Sequence, residues 1–165
     1  MNYVMRFFSA LFLLTLPITS YADTVSIPIP SQGWNISLDA PRLARKQGRQ
    51  EGPNYVYQAN SDRFNLSIFV EPQANPGGSK ECYEFYWPKA SRNPLISKPT
   101  IKVSNTDKFY RVEYDVGVGT LVQHNVNYYF MFEGKWVDVH ISITNPTIED
   151  DAVIASFDKG LNYGK

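Results

Sequence analysis

The sequence predicts an α+β domain, an antiparallel β-sheet of about six to seven strands with helices packed on it. Three observations carry this. Apolar and polar residues alternate along several segments, most clearly Trp34–Leu38 and Phe64–Val70, which is the period of a half-buried strand. Two long strand-like segments, 121–132 and 135–144, flank Glu133-Gly134, the spacing of a tight hairpin. Residues 79–87 and 147–161 instead place apolar side chains at helical spacing. An all-β sandwich or barrel with a C-terminal helix is the alternative.

The N-terminus reads as a secretory signal peptide. Arg6 precedes the apolar run Phe7–Leu16, Pro17 breaks it, and Ser20-Tyr21-Ala22 supplies small residues at the cleavage positions. The run is too short to span a bilayer as a mature helix. Cleavage after Ala22 leaves residues 23–165 as a single globular domain with no membrane span. Met5-Arg6 opens the same signal, so Met5 competes with Met1 as the start. Cys82 is the sole cysteine, so no internal disulfide forms, and a buried thiol is expected. An exported domain without disulfides points to a bacterial protein, periplasmic or secreted. Asn35-Ile36-Ser37 and Asn65-Leu66-Ser67 are glycosylation triplets in form, but both fall in expected strands rather than loops.

Lys and Arg total 16 and so do Asp and Glu, which gives no reason to expect a nucleic-acid partner. One local exception is Pro41–Arg49, carrying Arg42, Arg45, Lys46 and Arg49. It reads as a solvated basic loop before the turn Gly52-Pro53-Asn54, with an anion or membrane-surface patch as the functional alternative.

Residues 25–30 alternate weakly, and Pro28 and Pro30 demote them to an edge strand or extended arm. Gly33–Ala40 is a strand. Tyr55–Tyr57 and Phe64–Val70 form a hairpin around Asn60–Arg63. After the loop 72–78, Ser79 is placed as the helix N-cap with Glu81 in the first turn. Cys82, Phe85 and Tyr86 give this helix one apolar side, and Pro88 stops it. Residues 101–103 and 110–116 are strands, with Gly117-Val118-Gly119 a turn. In the C-terminal helix Thr147 and Asp150 resemble a capping box, Val153, Ile154, Phe157 and Leu161 form the buried stripe, and Gly160 or Gly164 ends it.

A two-residue loop at Glu133-Gly134 fixes the long hairpin's register. One face then gathers Val122, His124, Val126, Tyr128 and Phe130 with Val137, Val139, Ile141 and Ile143, a coherent core surface on which His124 reads as a satisfied core histidine. The other face opposes Asn125 to Ser142, Asn127 to His140, Tyr129 to Asp138, and Met131 to Trp136.

Asp138, His140 and Ser142 thus line one side of a strand, about 6.6–6.8 Å apart in succession. A hydrolytic triad needs its nucleophile and base within about 2.6–3.2 Å of one another. A straight strand also lacks the turn that builds an oxyanion hole, and no Gly-x-Ser-x-Gly occurs. No catalytic residue is assigned. Three readings of this face stay open: a ligand or partner surface formed by Asn125, Asn127, Tyr129, Trp136, Asp138, His140 and Ser142; a face covered by another element; or a wet side of the sheet. His140 is expected to pair with Asp138 or Asn127. Two histidines and one cysteine without ligand spacing imply no metal site, and no phosphate-binding glycine loop appears, so no cofactor is implied.

Gly33-Trp34 opening a strand that ends at Pro41, the alternating Phe64–Pro72, a central amphipathic helix, Phe109–Val116, a long hairpin with a Gly134-Lys135-Trp136 turn, and a C-terminal helix around Ser156-Phe157 together resemble the PsbP-like fold over residues 31–163. The resemblance implies an antiparallel sheet between helices, an α/β/α sandwich. It also implies non-enzymatic work in binding or assembly, and it assigns no functional residue. The expected function is an exported, soluble, non-enzymatic protein that binds an envelope protein partner, as an assembly accessory or an immunity or inhibitor type. A small-molecule or glycan-binding periplasmic module and a hydrolase with a site near His140 are the alternatives. Oligomeric state is left open.

Overall fold

The computed structural model describes residues 23–165; the expected signal peptide and the choice between Met1 and Met5 lie outside the described residues. The strands are β1 (Asp23–Ile29), β2 (Trp34–Ala40), β3 (Ala44–Glu51), β4 (Asn54–Asn60), β5 (Phe64–Pro72), β6 (Lys102–Asn105), β7 (Tyr110–Val118), β8 (Leu121–Phe132), β9 (Lys135–Thr144) and β10 (Asn162–Gly164). The helices are α1 (Ser79–Ala90) and α2 (Asp150–Gly160), with a single 3₁₀ turn at Lys98–Thr100. Seven strands form one antiparallel sheet in the order β3-β4-β5-β9-β8-β7-β6. The other three form a small sheet, β1-β2-β10. The predicted α+β class and antiparallel sheet are present, and the small sheet is an addition.

The first face of the large sheet is its main core. Phe64, Leu66, Ile68 and Val70 of β5 lie with Val126, Tyr128 and Phe130 of β8 and Val137, Val139, Ile141 and Ile143 of β9, all buried. The small sheet closes over them with Ile27, Ile29, Trp34, Ile36 and Leu38. Aromatic contacts tie the two sheets: Phe130 stacks on Tyr163 with centroids 4.2 Å apart, and Trp34 meets Phe132 edge-on at 5.2 Å. Helix α2 packs on β2 and brings Phe157 against Phe64.

The long hairpin has the expected register, Gln123 against Thr144 through Phe132 against Lys135. Its turn residues Glu133 and Gly134 both have positive φ, +49° and +71°, as a type I′ turn requires to match the twist of its strands. His124 departs from its core assignment. It sits half-exposed at the outer end of this face, where its Nδ1 lies 2.7 Å from Asp115 Oδ1. There the apolar core gives way to a charged border in which Arg111 bridges Glu113 and Asp158.

Residues 44–51 are a strand and not a loop. All eight side chains are exposed, so no alternation marks the segment; it is a strand because its backbone pairs with β4 through the turn at Gly52-Pro53. Gly48 has a packing reason to be glycine. The Tyr55 ring lies over it so closely that a Cβ there would fall 2.3 Å from the phenol oxygen, an aromatic covering an edge glycine. The three-residue β10 was also not foreseen. Its pairing with β2 depends on where α2 delivers the chain.

Helix α1 begins at Ser79, with Gly78 as its N-cap. Glu81 carries the cap, accepting the Gly78 N–H at 2.7 Å, while Ser79 Oγ donates to the Lys108 carbonyl. Pro88 lies inside the last turn, and the helix runs on to Ala90. Proline there forfeits one hydrogen bond near the helix end, on the exposed side. At α2, Asp150 accepts from the Thr147 N–H at 2.7 Å, as the capping pattern anticipates. It also pairs with Arg63 from the β4–β5 turn, which no local pattern announced. Gly117 and Val118 extend β7, so the turn before β8 contracts to Gly119-Thr120.

Candidate functional site on the second face of the large sheet

Opposite the main core, the sheet presents the polar residues of β8 and β9, and α1 crosses only part of them. Beneath the helix lies a second apolar cluster: Cys82 and Trp87 from α1, with Val112, Tyr114, Tyr129 and Trp136 from the sheet. Tyr86 stacks on Tyr129 with centroids 5.8 Å apart, and Phe85 tilts against Trp136 at 4.8 Å. Tyr129 and Trp136 are each 1% exposed, which leaves almost none of either ring for a partner to touch. Cys82 is fully buried, donates to the Val137 carbonyl at 3.6 Å, and is pushed up to about 12 by burial. It is a packed thiol without nucleophilic character.

The amides of β8 are spent on the ionisable residues of β9. Asn127 donates from Nδ2 to Asp138 Oδ1 at 2.7 Å and accepts from the Tyr114 hydroxyl at 3.2 Å. Asn125 donates to its own strand's Gln123 carbonyl at 2.8 Å, which turns its Oδ1 toward His140 Nε2 at 3.0 Å. That orientation puts the ring proton on Nε2. Both bonds are diagonal in the same sense: each asparagine reaches the residue two positions before the one opposite it. His140 is therefore bonded to Asn125, and not to Asp138 or Asn127.

Burial decides the charge of both groups. It raises Asp138 to about 7, against the downward pull of the Asn127 amide. It lowers His140 to about 4, so the imidazole is neutral at neutral pH. Ser142 is 5% exposed and the His140 Nε2 proton points to Asn125, so the three residues do not form a nucleophile–base–acid chain. The Asp138-His140-Ser142 spacing is one side of a sheet whose polar groups answer each other.

Beyond the edge of α1, the same face opens. A groove of about 410 Å³ runs across β3, β4, β5 and β9, lined by Arg45, Gln47, Gln58, Asn60, Ser67 and His140 among others. The strands position it directly: Ser67 is opposed to both His140 and Gln58, and Gln58 to Gln47. The polar lining is amides, hydroxyl, imidazole and one guanidinium, with no carboxylate, and Ala59 and Leu66 complete it. Asn60 Oδ1 is buried there without a hydrogen-bond partner, an uncompensated acceptor. Of the seven residues expected to form the surface, His140 alone lines this groove; Asn125, Asn127 and Ser142 are buried. The groove's other residues come from β3, β4 and β5, whose polar positions read in sequence only as the wet sides of strands.

Among the described residues no cluster of three His, Cys, Asp or Glu side chains is placed to hold a metal ion, and no helix is long and apolar enough to cross a membrane. No protein-family model matches this chain and no curated protein matches it.

Proposed function

We propose that this chain is an exported, non-enzymatic protein that binds another protein of the bacterial envelope, using the open half of the second sheet face. The observation that supports the reading most is the division of that face. The groups that an acid–base reaction needs are each tied to a neighbouring asparagine, Asp138 to Asn127 and His140 to Asn125, and the imidazole is neutral at neutral pH, while the exposed part offers amides and a guanidinium in an open groove. Such a lining suits the backbone and polar side chains of a peptide segment. The resemblance to PsbP-like proteins, drawn from the order of elements, points the same way, as does the signal-like N-terminus.

The test is affinity capture of the tagged protein from its own envelope after mild crosslinking, read by mass spectrometry. One stoichiometric protein partner is expected, and its recovery should fall at least about tenfold with the combined replacements Gln58→Ala and His140→Ala. Equal recovery with that variant moves the interface elsewhere.

A groove of this volume also lies within the range of small-ligand sites. Under that second reading, a polar small molecule raises the melting temperature in proportion to the logarithm of its concentration, and no protein is captured.

A further inference from the structure

Strand β3 is one edge of the large sheet, and among the described residues its outer side pairs with no other strand. Alternate residues along it turn backbone N–H and C=O groups outward, a template for one more strand. Every one of its side chains is exposed. The edge is also flanked by a cavity on each side. Arg45 and Gln47 line the groove of about 410 Å³ described above. Lys46 lines a second cavity of about 530 Å³, with Arg42 and Leu43 and with Asp23–Ser26 of β1. Successive residues of β3 thus reach different cavities, the arrangement in which an added strand places alternate side chains in alternate pockets.

Charge then selects the occupant. Among the described residues Arg42, Arg45 and Lys46 make no ion pair, whereas Arg49 pairs with Glu51. The first cavity holds no acid and the second holds one, Asp23. A second copy of this chain is disfavoured: full antiparallel overlap of β3 with itself sets Lys46 against Arg49, and like charges directly opposite destabilise a strand pair. The irregularity between Ala44 and Gln47, with Arg45 at φ +45°, also blunts flat self-pairing. The unpaired charges of Arg45 and Lys46 favour a strand that brings carboxylates.

We propose that the free edge of β3 accepts an extended, acidic segment of a partner protein as an eighth strand, its alternate side chains entering the cavities lined by Arg45 and by Lys46. This rests on the reading that the chain binds a protein, and it names the chemistry of what is bound.

The experiment uses the purified protein and two end-blocked ten-residue peptides, one alternating Glu with Thr and the other alternating Lys with Thr. Affinity is measured by fluorescence anisotropy, and backbone protection by hydrogen exchange. The acidic peptide is expected to bind at least about tenfold more tightly than the lysine peptide and to slow exchange in residues 47–51. The combined variant Arg45→Glu, Lys46→Glu is expected to reverse the preference. Should that variant fold poorly, the acidic peptide with alternate amides N-methylated must lose binding to the unaltered protein. Equal affinity for the two peptides, no binding of the acidic one, or binding without protection in β3 overturns the proposal. A captured partner that leaves β3 unprotected refutes this inference while keeping the protein-binding reading; absence of any protein partner refutes the reading itself.

Discussion

Asn127 donates its side-chain amide to Asp138 across the β8–β9 ladder at 2.7 Å, yet burial still raises that carboxyl to about 7. Two residues along β9, burial drives His140 the other way, to about 4. The fold therefore keeps a proton on Asp138 that unfolding releases between the ordinary 3.8 and about 7, and stability falls as pH rises through that window. His140 stays neutral in the fold where the unfolded chain binds a proton, between about 4 and the ordinary 6.5, and stability rises with pH there. The two slopes oppose each other.

From about pH 4 to 6.5 the pair should nearly cancel, and each replacement should expose the other residue. In His140→Gln, stability is expected to fall with rising pH by up to about 1.4 kcal/mol per unit; in Asp138→Asn it is expected to rise by a similar amount. Tyr114 and Cys82, which face the pair from β7 and α1, are each raised to about 12 and do not titrate in the window. Urea denaturation across this range checks the claim, and identical pH profiles for all three proteins refute it.

Trp136→Ala is expected to cost about 3–5 kcal/mol of stability, the range for deleting a buried large aromatic. Tyr129→Ala should cost a comparable amount, since the ring lies between the sheet and Tyr86. Both would lower the midpoint of chemical unfolding sharply. A loss below about 1 kcal/mol would mean that α1 does not seal this cluster.

Gly160 closes α2 where the helix meets β2. A Cβ at that position would lie 2.6 Å from the Asp39 backbone nitrogen and 2.5 Å from its Cγ. Gly160→Ala must then push the helix off the strand, at an expected cost of about 1–3 kcal/mol, although alanine is the better helix former. Stabilisation by this change would show that the contact yields freely.

Glu133 occupies the first central position of the β8–β9 turn at φ +49°, a conformation that asparagine tolerates better. Glu133→Asn is expected to stabilise the protein by roughly 0.5 kcal/mol, offset in part by losing the contact of Glu133 with Lys165. Denaturation midpoints at matched slope would detect it.

The long hairpin was readable because its two constraints agree. Glu133-Gly134 sets a register, and only that register gathers Val126, Tyr128, Val137, Val139 and Ile141 on one side. Strand β3 was not readable, because a strand with no buried side chain leaves no period in the sequence. Gly160 was one of the two glycines expected to end α2, and the helix does end there, while its second reason, backbone contact with Asp39, depends on tertiary packing that no local pattern contains. The second face shows the same limit. That Asp138, His140 and Ser142 share a side followed from strand period alone. Which end of that side is sealed depends on where the connection from Pro72 delivers α1, so Trp136 and His140 looked alike in sequence and differ in the fold.

Because α1 covers only one end of this face, strand β9 is a seam between two regimes of tolerance. A change at Trp136 is felt by the helix, the sheet and the thiol at once. A change at Ser67 or Gln58, across the ladder from His140, is felt by the groove's shape and little else. The positions that tune the groove can therefore drift in sequence while the scaffold holds, and a lineage of such proteins can acquire new groove chemistry without first acquiring spare stability.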